Sequence, residues 1–270
     1  MQMLIRVILV VVGVALLPLA WGFSTAAPWA IQWWLWEDTP LSYLFLASMQ
    51  AAIAAAMIWI GLTNALHMVA AGSINLFAML SGIAIYLLSG QETMTPKLWV
   101  YGIGCALFAL LNLIFAFRAR RFTSPDRRPM PMSLRIAFAI FVLMLAQVGV
   151  ALVTQQKGIF PWPLSPGTSV VFGWMFLGDA FYFLYALLQP RWVNAIPQLW
   201  SFLAYDLVLI RPFLDRVGTP SPRVDDGPMP YELLQYNLLV YISVLCASAL
   251  VAIYFLFLDG RTRLWFREEV

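Results

Sequence analysis

The sequence predicts an all-α, polytopic transmembrane helical bundle with about eight spans. Of its 270 residues, 62% are hydrophobic and only 11% are charged, whereas soluble domains average about 25% charged residues. So few charges cannot cover the remaining apolar surface in water. The apolar residues also fall into stretches of about 20, the number of helical residues that crosses the hydrocarbon of a bilayer. We therefore expect the lipid bilayer as a partner and exclude a nucleic-acid-binding protein.

Seven apolar stretches are long enough to span a membrane. They comprise residues 3–21, 41–62, 65–88, 98–117, 134–153, 170–188 and 233–258. Small residues follow the first stretch, as after a secretory signal, but a basic segment in front of it is missing. We expect an uncleaved first helix. An eighth stretch, 197–210, is shorter and is interrupted by Asp206. With its flanks, as 192–214, it crosses the membrane tilted; otherwise it dips in and returns.

A basic linker in the middle of the chain sets the expected orientation. Six arginines lie in or beside it: Arg118, Arg120, Arg121, Arg127, Arg128 and Arg135. Because basic loops stay on the cytoplasmic side, the linker and both termini are predicted to be cytoplasmic. The loop 22–40 then lies outside. It contains four tryptophans and no lysine or arginine. Arginine outnumbers lysine 14 to 2 and no glycosylation sequon occurs, so we expect a bacterial plasma (inner) membrane.

An internal similarity suggests two parallel four-helix repeats. Thr39-Pro40 precedes one apolar run and Ser165-Pro166 precedes another, 126 residues later. A hydroxyl residue followed by proline is also a common helix start, so local capping explains the match equally well. Under the duplication hypothesis the chain divides into a first half, 1–121, a linker, 122–133, and a second half, 134–270, with a cytoplasmic tail. An even number of spans in each half makes the repeats parallel.

The residues that usually hold metals and cofactors are few. Cys105 and Cys246 lie in separate apolar stretches and His67 is the single histidine. Such a set does not make a zinc, iron–sulfur or bis-histidine haem site, and no phosphate-binding loop motif occurs. We expect no cofactor and no metal.

Asp179 lies near the middle of the stretch 170–188 and is the most informative residue. An ionised carboxylate at that depth costs about 2.5–3.5 kcal/mol unless it is paired or protonated. Tyr182 and Tyr185 follow it at helical spacing, so the three side chains share a face. This face is predicted to line a polar cavity or a proton path. An interhelical hydrogen-bond anchor is the structural alternative.

Four further polar residues are candidates for a ligand or proton site. Asp206 and Arg211 lie in the stretch 192–214, where they form either a local ion pair or part of the cavity that contains Asp179. His67 could exchange a proton with Asp179, although a histidine near the interface is more often a satisfied side chain. Glu232 begins a polar side of the last stretch, which either lines a pore or packs against a neighbour.

One pattern resembles a known enzyme family. Gly178-Asp179 on one span and Tyr205-Asp206 on the next are similar to the glycine-aspartate and tyrosine-aspartate motifs of presenilin-like intramembrane proteases. The resemblance implies an acid and base pair of aspartates. Here the two motifs occur in the reverse order, and Phe176 occupies the place of a family glycine.

Three functional hypotheses follow. The leading hypothesis is a transporter-like or small-molecule- or lipid-binding bundle with a polar intramembrane site around Asp179. The second is a non-catalytic subunit or scaffold that contacts other membrane proteins, and the third is an intramembrane acid/base or aspartyl enzyme. Fold alone does not choose among them.

Overall fold

The computed structural model describes residues 2–89, 95–123, 126–219, 231–262 and 264. The long helices are α1 (Gln2–Ser24), α3 (Pro40–Thr63), α4 (Val69–Ser89), α5 (Pro96–Ala119), α6 (Met132–Val153), α7 (Pro166–Leu188), α8 (Trp192–Leu214) and α9 (Tyr231–Ile253). A 3₁₀ turn, Leu66–Met68, leads into α4, a π turn, Tyr254–Leu258, extends α9, and the short α2 (Pro28–Ile31) lies in the first loop. No β-strand occurs in the described residues.

The all-helical architecture and the eight spans are confirmed. Eight helices are long and apolar enough to cross a membrane, and α8 is one of them, continuous over all 23 of its residues. The stretch 192–214 therefore forms a full-length helix. Orientation, cleavage of the first span and the division into 1–121, 122–133 and 134–270 stay predictions. Residues 124–125 of the linker and residues 263 and 265–270 of the tail lie outside the described residues.

Local chemistry fixes where three of the spans begin. The side-chain oxygens of Thr39, Thr95 and Ser165 accept hydrogen bonds from the backbone N–H three residues later. In each case the next residue is a proline, which suits the first helical position because its missing N–H has no partner there. Hydroxyl-proline pairs therefore mark the starts of α3, α5 and α7. These are every second span of the chain, so their starts lie at the same end of the bundle.

Four helices form the inside of the bundle. In their apolar centres α3, α4, α7 and α8 bury 50–61% of their residues, against 11–33% for the other four spans. Among the inner helices, α3 packs against α8 and α4 packs against α7. Each also carries one outer helix: α1 on α3, α5 on α4, α6 on α7 and α9 on α8. The extensive contacts between inner helices thus join the first four spans to the last four.

Candidate functional site

Two aspartates are the charged residues farthest from the helix ends. The other charged side chains of the eight spans lie within five residues of a helix end: Arg6, Lys97, Arg118, Arg135, Arg211 and Glu232. Asp179 and Asp206 instead lie near the middle of α7 and α8. Because intramembrane carboxyls are costly, each needs a physical reason.

Asp179 is held where α7 meets α4. The amide Nδ2 of Asn75 donates a 2.8 Å hydrogen bond to Asp179 Oδ1. Gly178 permits this approach, because a Cβ at that position would lie 2.5 Å from Asn75 Oδ1. The partner of this carboxyl group is therefore a neutral amide.

Asp206 is held where α8 meets α9. Its side chain is 1% exposed, and both carboxyl oxygens lie 3.0 Å from Ser248 Oγ. The same hydroxyl is also 3.0 Å from the carbonyl oxygens of Val244 and Leu245. A hydroxyl group has one hydrogen to donate. The two carbonyls also accept backbone N–H groups within α9, so the acceptors that lack a full set of donors are the oxygens of Asp206.

Tyrosines connect the surroundings of the two carboxyl groups. The hydroxyls of Tyr205 on α8 and Tyr241 on α9 are hydrogen-bonded to each other. Both tyrosines lie within electrostatic range of Asp179 and of Asp206. Tyr182 is buried one turn along α7 from Asp179.

A serine completes the group. Ser201 Oγ lies beside the Tyr182 hydroxyl and donates a 3.0 Å hydrogen bond to the Ala52 carbonyl of α3. We call these side chains the central polar cluster: Asn75, Asp179, Tyr182, Ser201, Tyr205, Asp206, Tyr241 and Ser248.

A glutamine one turn along α8 adds an unused acceptor beside the cluster. Gln198 is fully buried, and its Nε2 donates a 2.7 Å hydrogen bond to the Tyr182 carbonyl. Its Oε1 is buried and has no hydrogen-bond donor among the described residues. Buried polar atoms are usually paired, so an unpaired one calls for an explanation. Like the Asp206 site, this position has more acceptor atoms than donors.

Aromatic layers pack on both sides of the cluster. Toward the ends at which α3 and α7 begin, the Phe45 ring lies 4.3 Å from Phe172 and 5.5 Å from Phe176 (ring centroids), and it also contacts Tyr205. Toward the other end, Phe183 stacks on Phe202 with centroids 4.7 Å apart. The polar groups therefore lie between two apolar layers, which strengthens any electrostatic interaction among them.

Four predicted site residues lie away from the central polar cluster. Arg211 and Glu232 are exposed. Tyr185 is half-buried near Arg120, Arg191 and Gln189, at the opposite end of the bundle from the starts of α3 and α7. His67 lies at that same end, near Arg191 and Asp126, and its Nε2 is buried without a partner among the described residues. Of the three residues predicted to share a face of α7, Asp179 and Tyr182 therefore belong to the central polar cluster and Tyr185 lies outside it.

Two pairings considered from the sequence, an Asp206–Arg211 ion pair and an Asp179–Asp206 acid and base pair, can be compared with the observed partners. Asp206 and Arg211 do not pair; the ion pair found within the described residues joins Asp126 and Arg128 at 2.7 Å. Five residues along a helix turn a side chain by about 140°, which separates the two groups. Asp179 and Asp206 have separate partners on different helices, so the structure does not place them as a hydrogen-bonded acid and base pair.

Several cluster residues carry weaker sequence signals. Tyr241 and Ser248 are seven residues apart, two helical turns, and therefore share a face of α9. Gln198, Ser201 and Tyr205 are spaced by three and four residues and share a face of α8. The spacing identifies each polar face, but it does not identify the helix that the face meets.

Comparisons with protein-family models, curated proteins and solved structures gave no match.

Proposed function

We propose that the protein is a transporter-like bundle that binds a small molecule at the central polar cluster, with Asp179 as the principal contact. The observation that carries this proposal is the pair of interior carboxyls: each is held by a neutral side chain, and within the described ranges neither is paired with a cation. A purely structural anchor needs no acid, because a second amide or hydroxyl would join the helices at lower cost.

The surplus of acceptors favours a cationic ligand that donates hydrogen bonds. A protonated amine supplies a positive charge and up to three donors, which complements the carboxyls of Asp179 and Asp206. The rings of Phe45, Phe176 and Tyr205 lie next to the same region. Aromatic faces attract cations and accommodate an apolar substituent. We therefore propose small amines that carry an apolar group as the ligand class.

The packing of the inner helices favours transport over static binding. With an offset of 126, Pro40 at the start of α3 corresponds to Pro166 at the start of α7, and Leu66, which opens the turn before α4, corresponds to Trp192 at the start of α8. The α4–α7 and α3–α8 contacts correspond as well. Asn75 lies against Gly178, and Ser201, the equivalent of Asn75, bonds to Ala52, the equivalent of Gly178. We propose that the chain is duplicated, with the cluster between two parallel halves, as in several transporters.

The charge preference of the wild-type protein tests this proposal. We expect phenethylammonium to bind at least about tenfold more tightly than 2-phenylethanol, because only the amine supplies a charge for the carboxyls. Phenylacetate is the matched anion and should not bind. Binding would be measured by microcalorimetry on the purified chain in lipid nanodiscs. Equal affinities for the three compounds would remove the proposed role of the aspartates, and no binding of any would contradict the site itself.

A non-catalytic scaffold is the second candidate function, and the outer helices favour it. Only 11% of the apolar centre of α1 and 17% of that of α5 are buried, and a Cβ at Gly104 on α5 would meet no atom within 4 Å. These helices offer apolar faces to other membrane proteins. A native assembly in which this chain has a fixed stoichiometry, and in which Asp179→Asn leaves function intact, would favour the scaffold over the transporter.

A further inference from the structure

One carboxylate ties together the beginnings of two inner helices. Asp38 lies in the loop before α3, and its Oδ1 accepts hydrogen bonds from Ser42 Oγ of α3 (2.6 Å) and from the backbone N–H of Thr39 (2.8 Å). Its Oδ2 accepts a hydrogen bond from the hydroxyl of Thr168 on α7. Thr168 and Ser42 are fully buried. Hydrogen bonds to a charged acceptor are roughly twice as strong as neutral ones.

Two tryptophans, one from each loop, also contact this junction. Trp162, in the loop before α7, donates from Nε1 to Ser42 Oγ at 2.9 Å. Trp36, in the loop before α3, lies against Gly167 of α7, where a Cβ would be 2.4 Å from the indole ring. Each loop therefore reaches the start of the other helix. We call Asp38, Ser42, Trp162 and Thr168 the outer latch, since they lie at the predicted outer end.

The outer latch uses corresponding positions of the two helices but only one acid. Ser42 and Thr168 are 126 residues apart, as are Trp36 and Trp162, whereas the position 126 residues after Asp38 is Leu164. A single carboxylate thus serves both hydroxyls. Loss of this one group would remove the hydrogen bonds to both hydroxyls at once.

Ring contacts connect the outer latch to the central polar cluster. Trp162 packs edge-on against Phe160 with centroids 4.7 Å apart, and Phe160 lies 5.8 Å from Tyr241. Phe45, one turn below Ser42, contacts Tyr205. The layers therefore follow in order from the latch through the phenylalanines to the cluster tyrosines. Separation of α3 from α7 at the latch would expose these layers from this end.

From this arrangement we infer that the outer latch is the gate to the central polar cluster and that Asp38 is its positioning residue. The inference rests on the proposed function. A cation that reaches the Asp38 carboxylate offers it a partner in place of Thr168 and Ser42. The ligand class proposed for the cluster would therefore also favour opening of the gate.

A cysteine-accessibility experiment tests the gate without any ligand. Cys105 and Cys246 are replaced by alanine, and Ser201→Cys places one thiol in the cluster. The purified chain in nanodiscs is treated with a trimethylammonium methanethiosulfonate, which carries a fixed positive charge. We expect Asp38→Ala to raise the labelling rate about tenfold to a hundredfold, because the closed state loses charge-assisted hydrogen bonds. Glu37→Ala, at the exposed neighbouring acid, is the control and should label at the wild-type rate.

A second variant keeps the test decisive if Asp38→Ala does not fold. Thr168→Val removes one hydroxyl at nearly constant volume, leaves the Thr168 N–H bonded to Ser165, and should raise the rate in the same direction by a smaller factor. Wild-type labelling rates in every folded variant would overturn the gate. A faster labelling rate in the variants, in a protein that binds none of the three phenyl compounds, would support the gate and reject the proposed function. Binding of phenethylammonium together with unchanged labelling rates would support the proposed function and reject the gate.

Discussion

Asp179→Asn is expected to weaken phenethylammonium binding about a hundredfold, the largest functional effect in this protein. The asparagine keeps the shape of the side chain and a hydrogen bond to Asn75, but it removes the negative charge that the amine would meet. Loss of one member of a buried charge pair costs several kcal/mol, and about 2.7 kcal/mol corresponds to a hundredfold.

The control for this variant is an acid outside the bundle. Asp215→Asn removes an exposed carboxyl that directly follows α8, and it should leave the dissociation constant unchanged. Both variants would be compared by calorimetry and by thermal melting. If a folded Asp179→Asn protein bound the amine as tightly as the wild type, Asp179 would be a packing anchor and the ligand site would have to be sought elsewhere.

Gly173→Leu is expected to have the largest effect on stability, a loss of about 3 kcal/mol or more in the free energy of unfolding. A Cβ at this position in α7 would lie 2.6 Å from the backbone nitrogen of Val153 and 2.7 Å from the carbonyl oxygen of Gly149, both on α6. Backbone atoms of a packed helix cannot turn aside as a side chain can. Close approach at small residues is a main source of helix association in membranes.

Gly104→Leu is the matched control for this substitution. It adds the same side chain to α5, where no atom lies within 4 Å of the new Cβ, and should leave stability within about 0.5 kcal/mol of the wild type. Unfolding of both variants in mixed micelles, followed by circular dichroism, gives the comparison. Equal stabilities would show that α6 and α7 can separate without cost, contrary to the observed packing.

Hydrophobic patterning predicts the fold of this chain well. The seven long apolar stretches all form helices long enough to span, and each of their ends lies within four residues of the observed one; the marginal eighth stretch also forms such a helix. The reason is physical: a membrane requires long apolar helices, and the length of an apolar run records each of them directly. Hydroxyl-proline pairs also indicated the starts of α3 and α7, where Thr39 and Ser165 cap the helices.

The candidate site was less accessible to sequence reasoning. Depth along a span identifies Asp179 and Asp206, but their partners Asn75 and Ser248 lie on helices 104 and 42 residues away in the chain. Helical spacing records which face is polar and leaves open which helix it meets. Asp38 is harder still to identify, because a loop residue has no periodicity and its contact with Thr168 depends on how the loop before α3 lies against the start of α7.

The most direct test of the ligand site is an infrared difference spectrum of the purified chain with and without phenethylammonium. Comparison of the wild type with Asp179→Asn assigns the carboxyl band of Asp179. We predict a ligand-induced change in that band in the wild type, absent in Asp179→Asn and present in Asp215→Asn. An amine that binds to the wild type while the Asp179 band stays unchanged would contradict the central polar cluster as the binding site.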